Sequence, residues 1–226
     1  MKMKQKLIAS AVALSALTGF GVPAAHAAET SATVAVANMY YWRGLDLGLG
    51  DPALIADVNV KASGFYAGLW ASSGDAAFGT EWDFYTGYGF AVGALSVDLN
   101  YTTYMYPSVP GADPYGFDDV ADVALTLGFK ASDDLSFSAM YREGMGDVLA
   151  DDNYAYATFS ATYSKFTALV GTHADDSGTY DGLTHLDLSY AYSDKLTLTL
   201  GQVVDQGEAE WNDELKFIVK LSLPIM

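Results

Sequence analysis

The stretch LSVDLNYTT, residues 95–103, sets Leu95, Val97, Leu99 and Tyr101 against Ser96, Asp98, Asn100 and Thr102. A repeat of two marks an extended strand with two unlike faces, because successive Cβ atoms point to opposite sides. Ahead of it, residues 91–94 have the length of a tight turn, and behind it residues 106–118 form a longer Gly- and Asp-rich connection. The same pattern returns on both sides. Asp57, Asn59 and Lys61 oppose Leu54, Val58 and Val60; Asp122, Thr126 and Lys130 oppose Ala121, Val123, Leu125, Leu127 and Phe129. Leu186, Leu188 and Tyr190 oppose His185, Asp187 and Ser189, and Leu215, Phe217, Val219, Leu221 and Leu223 oppose Glu214, Lys216, Lys220 and Ser222.

These segments and the less regular ones between them predict twelve strands, near 32–42, 53–62, 65–72, 81–90, 95–105, 119–131, 135–142, 154–163, 166–173, 184–192, 196–204 and 214–223. Tight turns at 63–64, 91–94, 132–134, 164–165 and 193–195 alternate with longer loops near 43–52, 73–80, 106–118, 143–153, 175–183 and 205–213. An even strand number, with short turns at one end and long loops at the other, is the arrangement of an antiparallel up-and-down transmembrane β-barrel.

A secreted β-sandwich also alternates, so the barrel needs further support. The strands have the ~9–11 residues that cross a bilayer at a tilt. Aromatic residues collect at strand ends: Trp42, Trp70, Trp82 and Tyr104 toward the long loops, Phe65, Phe90, Phe129, Tyr163, Phe166 and Tyr192 toward the short turns. Two girdles suit two membrane interfaces. The opposite faces are polar, as a wet lumen requires. The expected pore-lining residues are Asp57, Asn59, Lys61, Glu81, Asp83, Asp98, Asn100, Asp122, Lys130, Arg142, His185, Asp187, Glu214, Lys216 and Lys220.

The first residues fix the compartment. Lys2, Lys4 and Lys6 precede an uncharged run over 7–20, and Ala25-His26-Ala27 supplies a small-x-small cleavage pattern. Residues 1–27 therefore read as a cleaved signal peptide, with the barrel over 28–226. With no cysteine in the chain, neither a disulfide nor a lipoprotein anchor is expected. Removing a leader that holds three of 11 basic residues and no acid leaves 28 acids against eight bases, a net charge of −20. Nucleic acid would be repelled by that field. Outer-membrane lipid and lipopolysaccharide, small polar solutes and the barrel assembly machinery are the expected partners.

The loop GLDLGLGDPA, residues 44–53, matches G-x-G-x-x-A literally, but it runs into a period-two strand and not a helix, so it reads as a hairpin loop whose glycines allow positive φ. His185, Asp187 and Ser189 share one face of a strand. Residues two apart sit roughly 6.6–6.8 Å from each other along it, too far for the direct hydrogen bonds of a triad. His173 with Asp175 and Asp176 has no diagnostic metal spacing. No cofactor, resident metal or catalytic group is expected; loose divalent bridging between loop carboxylates and lipopolysaccharide phosphates is the one metal role considered.

The run YWRGLDLGLGDPAL from Tyr41, the hairpin ASGFYAGLWASS and the strand EWDFYTGYG resemble the TorF-like family of putative porins of proteobacteria. Trp42-Arg43-Gly44 and Asp51-Pro52 are family-pattern positions without an assigned role. The resemblance implies an outer-membrane barrel and passive transport. One departure is that the chain ends Leu223-Pro224-Ile225-Met226 and not on an aromatic residue.

The expected function is a narrow, non-enzymatic outer-membrane channel for small polar solutes. Acidic loops at its mouth would give a weak cation preference. The rivals are a plugged structural barrel and a secreted ligand-binding sandwich.

Overall fold

A computed structural model describes residues 28–225, so the expected leader and Met226 lie outside the described residues. The chain runs β1 (Glu29–Ala37), β2 (Tyr41–Trp42), β3 (Leu45–Asp46), β4 (Ala53–Ala62), β5 (Phe65–Asp75), β6 (Gly79–Val92) and β7 (Leu95–Met105). It continues with β8 (Ala121–Lys130), β9 (Leu135–Met145), the short helix α1 (Gly146–Asp151), β10 (Ala155–Tyr163), β11 (Phe166–Ala174), β12 (Leu183–Ala191), β13 (Leu196–Gln206) and β14 (Lys216–Pro224). β1 and β4–β14 form a closed antiparallel barrel of twelve strands in up-and-down order, and β2 and β3 pair separately. Closure is made by β1, which pairs β4 from Glu29↔Lys61 to Ala37↔Ala53 and β14 from Thr33↔Pro224 to Ala37↔Lys220. The non-aromatic chain end does not keep β14 out of the barrel.

Alternation decides inside from outside on every strand. Leu54, Val58 and Val60 are exposed on β4, while Ala53, Ile55, Asp57, Asn59 and Lys61 turn inward. Leu95, Leu99, Leu125, Leu127, Leu186, Leu188, Leu200, Phe217 and Leu221 extend the outward row around the barrel. Soluble monomers rarely expose an apolar band this continuous, and it belongs in hydrocarbon. Placing Arg at Leu125, mid-strand and outward, is expected to cost about 2–4 kcal/mol in lipid unfolding titrations. The same change at Thr126, one residue on and inward, is expected to cost far less; equal costs would contradict the assigned faces.

The structure corrects three expectations. The first strand ends at Ala37, five residues earlier than predicted, because residues 38–52 turn inside. β5 and β6 extend so far that only 76–78 join them, so this external connection is no longer than the turn at 131–134. The outer girdle is also thinner. Trp82 faces outward, 46% exposed, but Trp70 packs inside against Tyr40, Trp42 packs against His173 and edge-on to Tyr180, and the Tyr104 hydroxyl meets Asp122. At the short-turn end Phe65, Phe90, Phe129, Tyr163, Phe166 and Tyr192 are all exposed.

Candidate functional site

The first long connection, residues 38–52, folds into the lumen as a hairpin. β2 and β3 pair through Tyr41↔Asp46 and Trp42↔Leu45, which leaves Arg43 and Gly44 as the two turn residues. Both have positive φ, 46° and 94°. That is the requirement of a type I′ turn, whose twist matches the strands it joins. Glycine meets it freely; Arg43 holds a conformation that non-glycine residues seldom adopt, at the tip of the hairpin. A Cβ on Gly44 would lie 2.7 Å from the His185 ring, so the turn also needs glycine for room. Leu49 and Gly50 repeat the positive-φ pair, closed by Asp51 N–H donating to the Gly48 carbonyl at 3.0 Å.

The hairpin is seated between two apolar patches of the inner wall. Tyr40 packs with Ala35, Ala37, Ala53 and Ile55, flanked by Leu47 and Trp70. Leu45 packs with Leu183 and Val203, flanked by Trp42, Tyr180 and Trp211. Between the patches its polar groups find partners on the wall. The Tyr40 hydroxyl bonds to Glu81, and the Tyr41 hydroxyl donates to Asp187 at 2.6 Å. Burial, followed by the adjacent carboxylate, pushes both phenols well above their ordinary pKa, so both remain donors. Gly201 supplies the space in which the Tyr41 ring lies.

Arg43 makes the densest set of contacts. It donates to the Tyr154 hydroxyl at 2.6 Å, the Tyr104 hydroxyl at 3.0 Å and Asp122 at 3.3 Å. Its guanidinium also lies 4.4 Å from the Trp42 ring centre and 5.0 Å from that of Tyr156. The Arg43 carbonyl is tied to His173 Nε2 at 2.9 Å, while His173 Nδ1 meets the Tyr154 hydroxyl. Asp122, fully buried, is shared: Arg142 binds its other oxygen, and the Tyr104 hydroxyl donates to it at 2.6 Å. Two arginines on one buried carboxylate form a bridge from the hairpin tip to β8 and β9.

The expected lining residues divide by height in the barrel. Glu81, Asp83, Asp122, His185 and Lys216 are buried in the long-loop half around the hairpin; Arg142 and Asp187 there bond to Asp122 and Tyr41. Asp57, Asn59, Lys61, Asp98, Asn100 and Lys220 line the short-turn half and are partly exposed. Two were misplaced. Lys130 ends β8 in the open and pairs with Asp133, and Glu214 is exposed in the loop before β14. At hairpin level most inward side chains of neighbouring strands are buried, among them Ala35, Ile55, Ser72, Glu81, Asp122, Tyr156, His173, His185, Val203 and Ile218. Nearer the short turns Thr126, Ser138, Thr158, Thr162, Ser189, Thr197 and Thr199 are partly open.

The histidines need a correction. His185 Nδ1 does reach Asp187, at 3.1 Å, because the imidazole bends back along the strand and closes the gap that backbone spacing alone leaves. The triad is still not assembled: His185 Nε2 meets the Tyr156 hydroxyl at 2.8 Å, and Ser189 bonds to Thr199. His173 lies inward, away from any rim metal site, while Asp175 binds the backbone N–H of Tyr180 at 2.7 Å. Among the described residues no group of three or more His, Cys, Asp or Glu side chains is placed to hold a metal. The residues that sequence reasoning missed are Tyr40, Tyr41, Arg43, Tyr154 and Tyr156. For Arg43 the signal was present: a single arginine beside a glycine at the tip of a Trp-containing loop.

A family described as "Bacterial protein of unknown function (Gcw_chp)" matches residues 22–207, and the chain belongs to it. No curated protein matches by sequence. Among solved structures, the KdgM porin is similar with a TM-score of 0.51 and 12% identity, over 86% of this chain and 97% of that one. The NanC porin gives 0.49 and 14% identity, over 84% and 97%. At 12% identity the likeness to the KdgM porin is one of fold alone, a closed β-barrel.

Proposed function

We propose that this member of the Gcw_chp family is a narrow outer-membrane channel for passive diffusion of small polar solutes, with the luminal hairpin as a constriction that must leave its seat for solute to pass. The observation that carries the proposal is the division of the lumen. One half is lined by partly exposed carboxylates, amides, lysines and hydroxyls, and the other is filled by a single loop segment held through its side chains. A wall of that polarity suits water and solute, and twelve strands fall between the filled eight-stranded barrel and the open porins of 16–18. Residues 1–27 serve as the export signal, and the resemblance to TorF-like putative porins supports the same placement. Acidic residues on the external loops, including Asp51, Asp113, Asp118, Asp151, Asp176 and Glu208, enrich cations at the mouth and give a weak cation preference. The same loops meet lipopolysaccharide.

A second reading, a plugged scaffold that displays its loops, is favoured by the burial of the wall at hairpin level. Planar-bilayer recording separates the two. The channel predicts stepwise currents, with a reversal potential on the cation-selective side across a salt gradient. A barrel that inserts yet never conducts leaves the scaffold.

A further inference from the structure

One four-residue pattern occurs twice, Phe65-Tyr66-Ala67-Gly68 and Phe84-Tyr85-Thr86-Gly87. The two copies fall on neighbouring strands in a register that pairs Tyr66 with Gly87 and Tyr85 with Gly68. Tyrosine and glycine face the lumen. A Cβ on either glycine would run into the partner's ring, so each ring lies flat across the neighbouring strand in space that only glycine leaves. Each then reaches one strand further. Tyr85 donates to Asp57 on β4 at 2.9 Å, and Tyr66 donates to Asp98 on β7 at 2.8 Å. The crossed rings have centres 6.3 Å apart at 53° and are partly exposed to the lumen. Asn59 and Asn100 lie beside them, bonded at 3.2 Å to Asp57 and to the Tyr66 hydroxyl.

From this geometry we infer a binding platform for a neutral polyhydroxylated solute such as a saccharide. An aromatic face, with its negative quadrupole, accepts the C–H face of a sugar ring. Carboxylates and amides at the edges take the hydroxyls, and each carboxylate has lone pairs left after accepting one phenol. Asp57 and Asp98 share this half of the lumen with Lys61 and Lys220, so both signs are present around the platform, which suits a neutral ligand. Because the phenol bonds hold the rings against the wall, little side-chain freedom is lost on binding. The role in passage rests on the channel reading; binding does not.

The test is saturation-transfer NMR with maltose on the detergent-folded barrel, set against Tyr66→Leu/Tyr85→Leu, with folding followed by heat-modifiable gel migration. Transfer to the sugar C–H protons is expected in the native chain, with affinity falling roughly tenfold in the variant, as for loss of an aromatic contact. If the double variant does not fold, Tyr85→Leu alone is compared and a smaller loss is expected. Equal transfer in native and variant chains, or none in the native chain, overturns the platform. Sugar binding without bilayer current upholds the platform and removes the channel; current without sugar transfer does the reverse.

Discussion

Asp122→Ala is expected to destabilise the barrel by about 3–5 kcal/mol, measured by reversible urea unfolding in lipid, because it removes the one carboxylate that two buried arginines share. Asp122 has no exposed side-chain surface, and the side chains of Arg43 and Arg142 are only 12% and 17% exposed. Water cannot take over the lost contact, and two like charges remain on the same few atoms. Tyr104 loses its acceptor in the same step. Asp133→Ala is the control: its partner Lys130 and Asp133 itself are 56% and 98% exposed, and no measurable change is expected. A loss below about 1 kcal/mol at Asp122, the range of exposed pairs, would mean that the bridge is already solvated.

Excision of the hairpin is expected to give the largest functional change. Replacing residues 41–46 with a short glycine linker removes Arg43, the Tyr41 contact with Asp187 and the Leu45 contact with Leu183 and Val203, and leaves the twelve-strand ladder untouched. Conductance should rise several-fold, as open bursts or a larger unit step. The barrel should still insert, because its outward band is unchanged. Unchanged conductance would show that current follows a route the hairpin does not occupy.

Much of this fold is written in the period of the sequence. Strands such as 95–105 and 53–62 appear in the structure with the ends predicted for them, because a lipid face and a lumen face impose opposite polarity on adjacent residues. Alternation weakens where the lumen is itself apolar. Trp70 follows Tyr66 and Gly68 on the inner face, yet its neighbours Leu69 and Ala71 are apolar too, so parity alone does not tell interface from interior. Trp42 and Tyr104 were misplaced for a related reason: an aromatic residue at a strand end suits a membrane interface and a packed plug equally.

Beyond Arg43 at its tip, the inward fold of residues 38–52 had no local signal. Its turn chemistry is that of any hairpin loop, and its direction is set by partners far along the chain: Asp122, His173, Asp187 and the room above Gly201. Cross-barrel complementarity of this kind joins residues on different strands, and no window of sequence contains it. Dependence on backbone spacing also hid the His185–Asp187 bond, since a long side chain spans what two Cα atoms do not.

The central claim is that the hairpin must leave its seat for solute to pass. The chain has no cysteine, so Leu45→Cys with Val203→Cys, residues packed in one cluster, offers a clean lock between hairpin and wall. Single-channel current of this variant is recorded oxidised and then reduced in the same bilayer. The account predicts that oxidation abolishes conductance and reduction restores it. Full conductance with the disulfide formed would contradict it.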